Sequence, residues 1–242
     1  MSVTETFISH LIELRNRLLK IVIGLVVCII SFLPFSNKLY TWLAQPLLSH
    51  MPAGNHMIAT AVTTPFLVPM KVSTLLAIVV SLPYTLYQAW AFVAPGLYLH
   101  ERRFIGPLIV SSTLLFLAGM AFAYFAVFPV LFGFITASAP QGVAVMTDIG
   151  SYLDFVTTMF VSFGLAFEVP IAVVILVKFN IVKVEALKEA RPYVIVGAFI
   201  VGAILTPPDV ISQVMLAVPL WFLYEAGVFV AKFLVPKTLV SD

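Results

Sequence analysis

The chain has 242 residues, of which 62% are apolar and only 10% charged, against roughly 45–50% and 25% in an ordinary soluble domain. A soluble core cannot absorb that surplus, so the apolar surface has to face lipid, and a net charge of +2 is too small to draw nucleic acid. One cysteine, Cys28, excludes an internal disulfide.

Residues 2–20 place Phe7, Ile8, Leu11, Leu14 and Leu18 on one helical stripe, with Glu13, Arg17 and Lys20 on or near the opposite face. That pattern predicts a short amphipathic helix lying along the cytoplasmic membrane surface. The first span follows at 21–35. Its basic lead and apolar run imitate a signal peptide, but no small-residue cleavage pattern follows, so it reads as a retained helix. Residues 36–71 form an external segment punctuated by Pro46, Pro52, Gly54, Pro65 and Pro69. Tyr40, Trp42, Leu43, Phe66 and Leu67 make it too apolar for a free loop, which predicts a folded cap with short helices.

The second span covers 72–93 and carries Pro83, which removes a helical hydrogen bond and predicts a kink; Pro95-Gly96 ends it. After the turn Leu97–Arg103, a third span occupies 104–137, well beyond the roughly 20 residues needed to cross. Pro107 and Pro129 mark its expected breaks. Asp148 lies in the external segment 138–152, which has no Lys or Arg. The fourth span, 153–179, holds Glu168 followed by Pro170. An inner loop, 180–191, is the most charged stretch, and the spans 192–205 and 210–233 are separated only by Thr206-Pro207-Pro208-Asp209. The fifth span, at about 1.5 Å per residue, reaches roughly 21 Å against a hydrocarbon core of about 30 Å. It falls short, so either the bilayer thins there or a partner helix covers the gap. The whole chain reads as one all-α domain, a polytopic integral membrane protein with six transmembrane helices.

Charge orients it. Every Lys and Arg except Lys38 and Lys71 falls in the N-terminal segment, the turn at 97–103, the loop at 180–191, the tail, or the last residues of the span leading into one of them, as Lys178 and Lys232 do. Basic loops near helix ends stay cytoplasmic, which predicts both termini inside.

Enzyme chemistry finds no footing. There is no H-E-x-x-H, no G-x-S-x-G and no phosphate-cradling G-x-x-x-x-G-K-[ST]. His10, His50, His56 and His100 do not recur at metal-ligand spacing, and no cofactor or metal is expected. Glu13 and Glu101 stand out instead, as acids on the side that the topology rule fills with bases. Two carboxylates held there can accept guanidinium forks from a cationic ligand. The competing reading pairs Glu13 with Arg17 at i,i+4 and Glu101 with a neighbouring arginine; spacing does not decide between them.

Glu168 lies within an apolar span, where an ionisable side chain usually faces a bundle interior or a wet cavity. It reads either as a polar point in a transport path or as a hydrogen-bonded interhelical glutamate. Proton-coupled transport of a small solute through Glu168 is the rival function. Glu225, nearer the inner end of the last span, is expected to snorkel or to pair with Lys232. Asp209 is placed to cap the sixth span, with Gln213 one turn on facing the same neighbour.

Seven runs, in order along nearly the whole chain, resemble the TatC family of twin-arginine protein translocase subunits. They are His10-Leu11-Ile12-Glu13-Leu14-Arg15, Gln88-Ala89-Trp90-Ala91-Phe92-Val93-Ala94-Pro95, His100-Glu101-Arg102-Arg103, Phe122-Ala123-Tyr124-Phe125, Phe167-Glu168-Val169-Pro170, Arg191-Pro192-Tyr193 and Leu205-Thr206-Pro207-Pro208-Asp209. The resemblance implies six helices curved into a concave, glove-like bundle in a bacterial inner membrane, with short helices 5 and 6. It implies a receptor for twin-arginine signal peptides, driven by the proton-motive force, in a multimeric complex with the single-span subunits TatA and TatB. By position, Glu13 and Glu101 would bind the arginine pair, supported by Arg15, Phe92 and Arg103. Pro46 and Asp209 match residues needed for activity, Glu168 would face the concavity, and the short fifth span would dock partner helices.

Overall fold

The computed structural model describes residues 3–49, 57–93, 105–137, 146–179, 181–205 and 210–234. Ten α-helices run through them: α1 (Val3–Phe32), α2 (Ser36–Leu48), α3 (Thr64–Val93), α4 (Ile105–Phe122), α5 (Phe128–Ala137), α6 (Ile149–Phe167), α7 (Val169–Lys178), α8 (Val184–Glu189), α9 (Arg191–Leu205) and α10 (Val210–Leu234). Among the described residues, five helical runs are long and apolar enough to cross a membrane: Ser9–Leu48, Thr64–Ala89, Gly106–Ala137, Ile149–Lys178 and Gln213–Phe233. A sixth apolar helix, Arg191–Ile204, is shorter. The fifth expected span is thus a helix of 15 residues, α9, or about 22 Å at 1.5 Å per residue.

The expected surface helix and first span are one uninterrupted helix, α1. The junction Leu18-Leu19-Lys20-Ile21 consists of good helix formers, with no Gly or Pro to end the first piece. The break comes at Pro34, where a 3₁₀ turn over Leu33–Phe35 leads into α2. From Ser9 to Leu48 this run spans 40 residues, roughly 60 Å and twice the hydrocarbon thickness. Only part of it fits within the core of a bilayer. The short helix expected in the external cap is α2, which carries Pro46 in its last turn. α3 starts at Thr64, earlier than the span read from the sequence, with Pro65 in its first turn, where a missing N–H costs nothing.

Two compact units make up the chain. Unit 1 comprises Met1–Gln45, Ile58–Thr113 and Asp148–Leu153; unit 2 comprises Pro46–Met57, Leu114–Thr147 and Asp154–Asp242.

In unit 1, α1 packs along α3. Ser73 sits fully buried on α3, and its Oγ donates to the Pro69 carbonyl at 3.2 Å and to the Phe32 carbonyl at 3.4 Å, satisfying an acceptor at the C-terminal end of α1. Tyr152 Oη donates to the Leu43 carbonyl at 2.8 Å, tying the start of α6 to α2 within the same unit. Outside the helices, Ile58 and Asp148 form a parallel bridge, and the Ile149 amide donates to the Ile58 carbonyl at 2.9 Å. Asp148 is the N-cap of α6. Its Oδ1 accepts the amides of Gly150 and Ser151, each at 2.9 Å, while Oδ2 accepts the Thr60 amide at 3.0 Å and the Thr60 hydroxyl at 2.8 Å. These donors hold the Asp148 carboxyl down at about 2, the Ser151 amide contributing most.

Unit 2 is built on aromatic and small residues. Phe128 is fully buried among Phe132, Phe155 and Phe160, with ring centroids 5.5–6.2 Å apart. The break expected at Pro129 is a wide π turn over Ala123–Val127. Pro129 has no amide to donate to the Phe125 carbonyl and its ring crowds that oxygen, so the turn before it opens. Pro107, by contrast, sits in the first turn of α4 and breaks nothing. Gly119 brings α4 onto α6 so closely that a Cβ there would fall on the Phe163 carbonyl. Gly227 does the same for α10 and α7, where a Cβ would lie 2.8 Å from Pro170 Cα. A second cluster of Val173, Val177, Leu187, Tyr224, Val228 and Ala231 joins α7, α8 and α10. Tyr224 Oη donates to the Leu187 carbonyl at 2.6 Å, which pins α8 to α10.

Glu225 does not pair with Lys232. Its Oε2 accepts Arg191 Nη2 at 2.7 Å, because the α9–α10 packing brings the start of α9 beside it.

Candidate functional site

Two of the residues singled out from the sequence, Glu13 and Phe92, belong to one cluster in unit 1. Glu13 lies on α1, half-buried, and Arg17 follows one turn later on the same face. Arg17 donates to Glu13 Oε1 through both Nη2, at 2.6 Å, and Nε, at 2.9 Å. Its third donor, Nη1, reaches across to Gln88 Oε1 on α3 at 3.3 Å. One turn before Glu13, His10 stacks on Phe92 of α3, with ring centroids 4.2 Å apart and planes inclined by 18°. His10 Nδ1 is 4.0 Å from Glu13 Oε2. Two helices thus frame the carboxylate, α1 supplying the charges and α3 the amide and the aromatic ring.

Of the residues expected at this site, Glu13 and Phe92 come together through His10. Arg15 does not join them. It is exposed, and its Nη2 donates to Asn16 Oδ1 at 3.3 Å. Glu101 and Arg103 lie outside the described residues, as does Asp209. The i,i+4 pairing of Glu13 with Arg17, set against ligand binding in the sequence, is present in the structure. Gln88 and His10 were legible only as members of motifs; nothing in their spacing says that they meet Arg17 and Phe92 across two helices.

Glu168 interrupts its span as Pro170 requires. α6 stops at Phe167 and α7 begins at Val169, with Glu168 between them, half-buried. Its amide donates to the Leu165 carbonyl at 3.1 Å, a tightened last turn, and its own carbonyl accepts the Ala172 amide at 3.0 Å. Gln213 lies on α10, and its Nε2 donates to the Phe199 carbonyl of α9 at 2.9 Å. Gly202 lies against it, a Cβ there standing 3.2 Å from Gln213 Cγ, so the amide staples the two short-loop neighbours at close range. The Pro46 carbonyl accepts the Ser49 hydroxyl at 3.0 Å and closes the end of α2.

Chemically, the Glu13 cluster brings together one carboxylate, a guanidinium, an amide and a stacked imidazole, and among the described residues no three His, Cys, Asp or Glu side chains come together to hold a metal.

The family model for the Sec-independent protein translocase protein TatC matches residues 9–219. The TatC protein of Haemophilus influenzae is 53% identical over 234 residues, covering 97% of this chain and 91% of its own length. That of Escherichia coli strain K12 is 52% identical over the same share of both chains. A crystal structure of the twin arginine translocase receptor TatC superposes with a TM-score of 0.79 at 37% identity, covering 93% of this chain and 98% of that one. A second, obtained in the detergent DDM, gives 0.80 at 35% identity. With the motif-bearing helices, the interrupted span at Glu168 and the short α9 all inside the matched region, this chain belongs to the TatC family of Sec-independent protein translocase proteins.

Proposed function

We propose that this chain is the signal-peptide receptor of a twin-arginine translocase, reading paired arginines with Glu13. The observation that supports the reading is the Glu13 carboxylate, held half-buried between α1 and α3 with a guanidinium already on it. A carboxylate that accepts the Arg17 guanidinium has the charge to accept another in its place. In this reading Glu101 supplies a second carboxylate, Phe92 a stacking wall, and Arg15 and Arg103 the surrounding field. Pro46, Glu168, Asp209 and Gln213 serve the assembly of the external cap and the membrane interior rather than the arginine contact.

The chain works in a bacterial cytoplasmic membrane with both termini inside, in a multimeric complex with TatA and TatB. α9 leaves apolar side chains such as Tyr193, Val196, Ile200 and Ile204 exposed, and its short span suits helices contributed by those partners. The proton-motive force supplies the energy. Family membership weighs against solute transport through Glu168.

Binding of a twin-arginine signal peptide to the purified chain in detergent tests the receptor role. Glu13→Ala and Glu101→Ala are each expected to weaken binding at least about tenfold, and a twin-lysine peptide to bind less tightly than the twin-arginine form. Affinity and arginine preference that survive both substitutions would sink the assignment.

A further inference from the structure

Glu13 does not stand open to a ligand. Its Oε1 accepts two N–H groups of Arg17, at 2.6 and 2.9 Å, and one carboxylate oxygen offers about two lone-pair sites. Oε1 is therefore filled. Among the described residues, Oε2 has His10 Nδ1 nearby, at 4.0 Å. A guanidinium fork needs both oxygens of a carboxylate in parallel, so an arriving arginine completes that fork only after Arg17 has left Oε1. Arg17 has somewhere to remain. Its Nη1 already donates to Gln88 Oε1 on α3, a neutral acceptor that can keep the guanidinium beside the site without competing for charge.

We infer that Arg17 is a resident occupant of Glu13, and that a guanidinium-bearing peptide binds by exchange, Arg17 moving from Glu13 onto Gln88. The inference rests on the reading of Glu13 as a signal-peptide contact. Side-chain exposures of 22% for Arg17 and 34% for Glu13 leave the pair accessible to water, so the exchange does not open a sealed ion pair. While no peptide is bound, the carboxylate stays neutralised by its own helix. When one binds, one arginine contact replaces another, which keeps the affinity moderate and the complex reversible. A half-exposed pair of this kind lowers affinity for the competitor by a modest factor, about two- to fivefold.

Affinity of a fluorescent twin-arginine peptide for the full chain in detergent, measured across variants, decides the matter. Arg17→Gln is expected to bind the peptide about two- to fivefold more tightly than the unaltered chain. Arg17→Lys, which offers a point charge in place of the fork, is expected to give a smaller gain. Lys20→Gln removes a positive charge from the same helix without touching Glu13, and is expected to change affinity less than either. In a Glu13→Ala background the effect of Arg17→Gln should vanish. Should Arg17→Gln fail to fold, Arg17→Lys decides alone, a gain supporting the exchange and no gain overturning it. Unchanged or weaker binding by Arg17→Gln, with Glu13→Ala still impairing binding, overturns the exchange and leaves the receptor reading standing. Full binding by Glu13→Ala removes the receptor reading, and the exchange with it.

Discussion

Asp148 divides its two oxygens between two tasks, one capping α6 and the other holding Thr60. Its charged form is the one these donors favour, so its carboxyl sits near 2, below the ordinary 3.8. A depressed carboxyl contributes stability that is complete above the ordinary value and is lost as pH falls through the folded one. The Ile58–Asp148 connection is therefore expected to hold at pH 5 and to loosen between about 4 and 2. Hydrogen exchange at the Thr60, Gly150 and Ser151 amides measures this, and Asp148→Ala should raise exchange there already at neutral pH. Rates that stay the same in that variant would show that the bridge does not depend on the carboxylate. The sequence marked Asp148 only as an acid in an external segment. Its partner Thr60 lies 88 residues away, and no local pattern announces a contact of that separation. Arg17 teaches the same lesson in reverse. Its pairing with Glu13 was readable from i,i+4 spacing, whereas its bond to Gln88 needed two helices brought side by side.

Among the helices, proline and glycine decided where the regular pattern gives way. Pro34 ended α1, Pro129 opened the π turn before α5, and Pro170 split α6 from α7 at Glu168. Pro83 and Pro219 instead lie inside α3 and α10, which remain continuous helices. The difference is not visible in the residue itself. The glycines set how closely helices approach. Gly119→Leu would force α4 away from the Phe163 carbonyl, and Gly227→Val would press α10 against Pro170. Overpacking of this sort costs about 1–3 kcal/mol. Each variant should unfold at lower temperature in detergent, while Gly106→Ala, with open space around the added methyl, should match the unaltered chain. Equal melting temperatures for Gly119→Leu and Gly106→Ala would show that the helices part without cost.

At the scale of the whole molecule, orientation is the first consequence of sequence that an experiment can read. With Cys28 replaced by Ser, a cysteine at Val62 should react with a membrane-impermeant maleimide added to intact cells, and one at Glu185 only after lysis. Both positions are exposed in the structure, so access is limited by the bilayer alone. The reverse labelling pattern would invert the proposed topology. Composition and hydrophobic run length by themselves determined that this is an all-helical membrane protein, with its spans in order and α9 too short, because crossing hydrocarbon is a demand that each segment meets alone. The motif runs likewise sufficed to indicate the family, being local strings. Only the tertiary structure decided that the two N-terminal pieces read from the sequence are one unbroken helix. It alone decided that Glu225 meets Arg191 rather than Lys232, and that Glu13 already holds a guanidinium beside Gln88. Those outcomes depend on which helices lie side by side, and a polar side chain in or near a bilayer takes whichever partner that packing brings within reach.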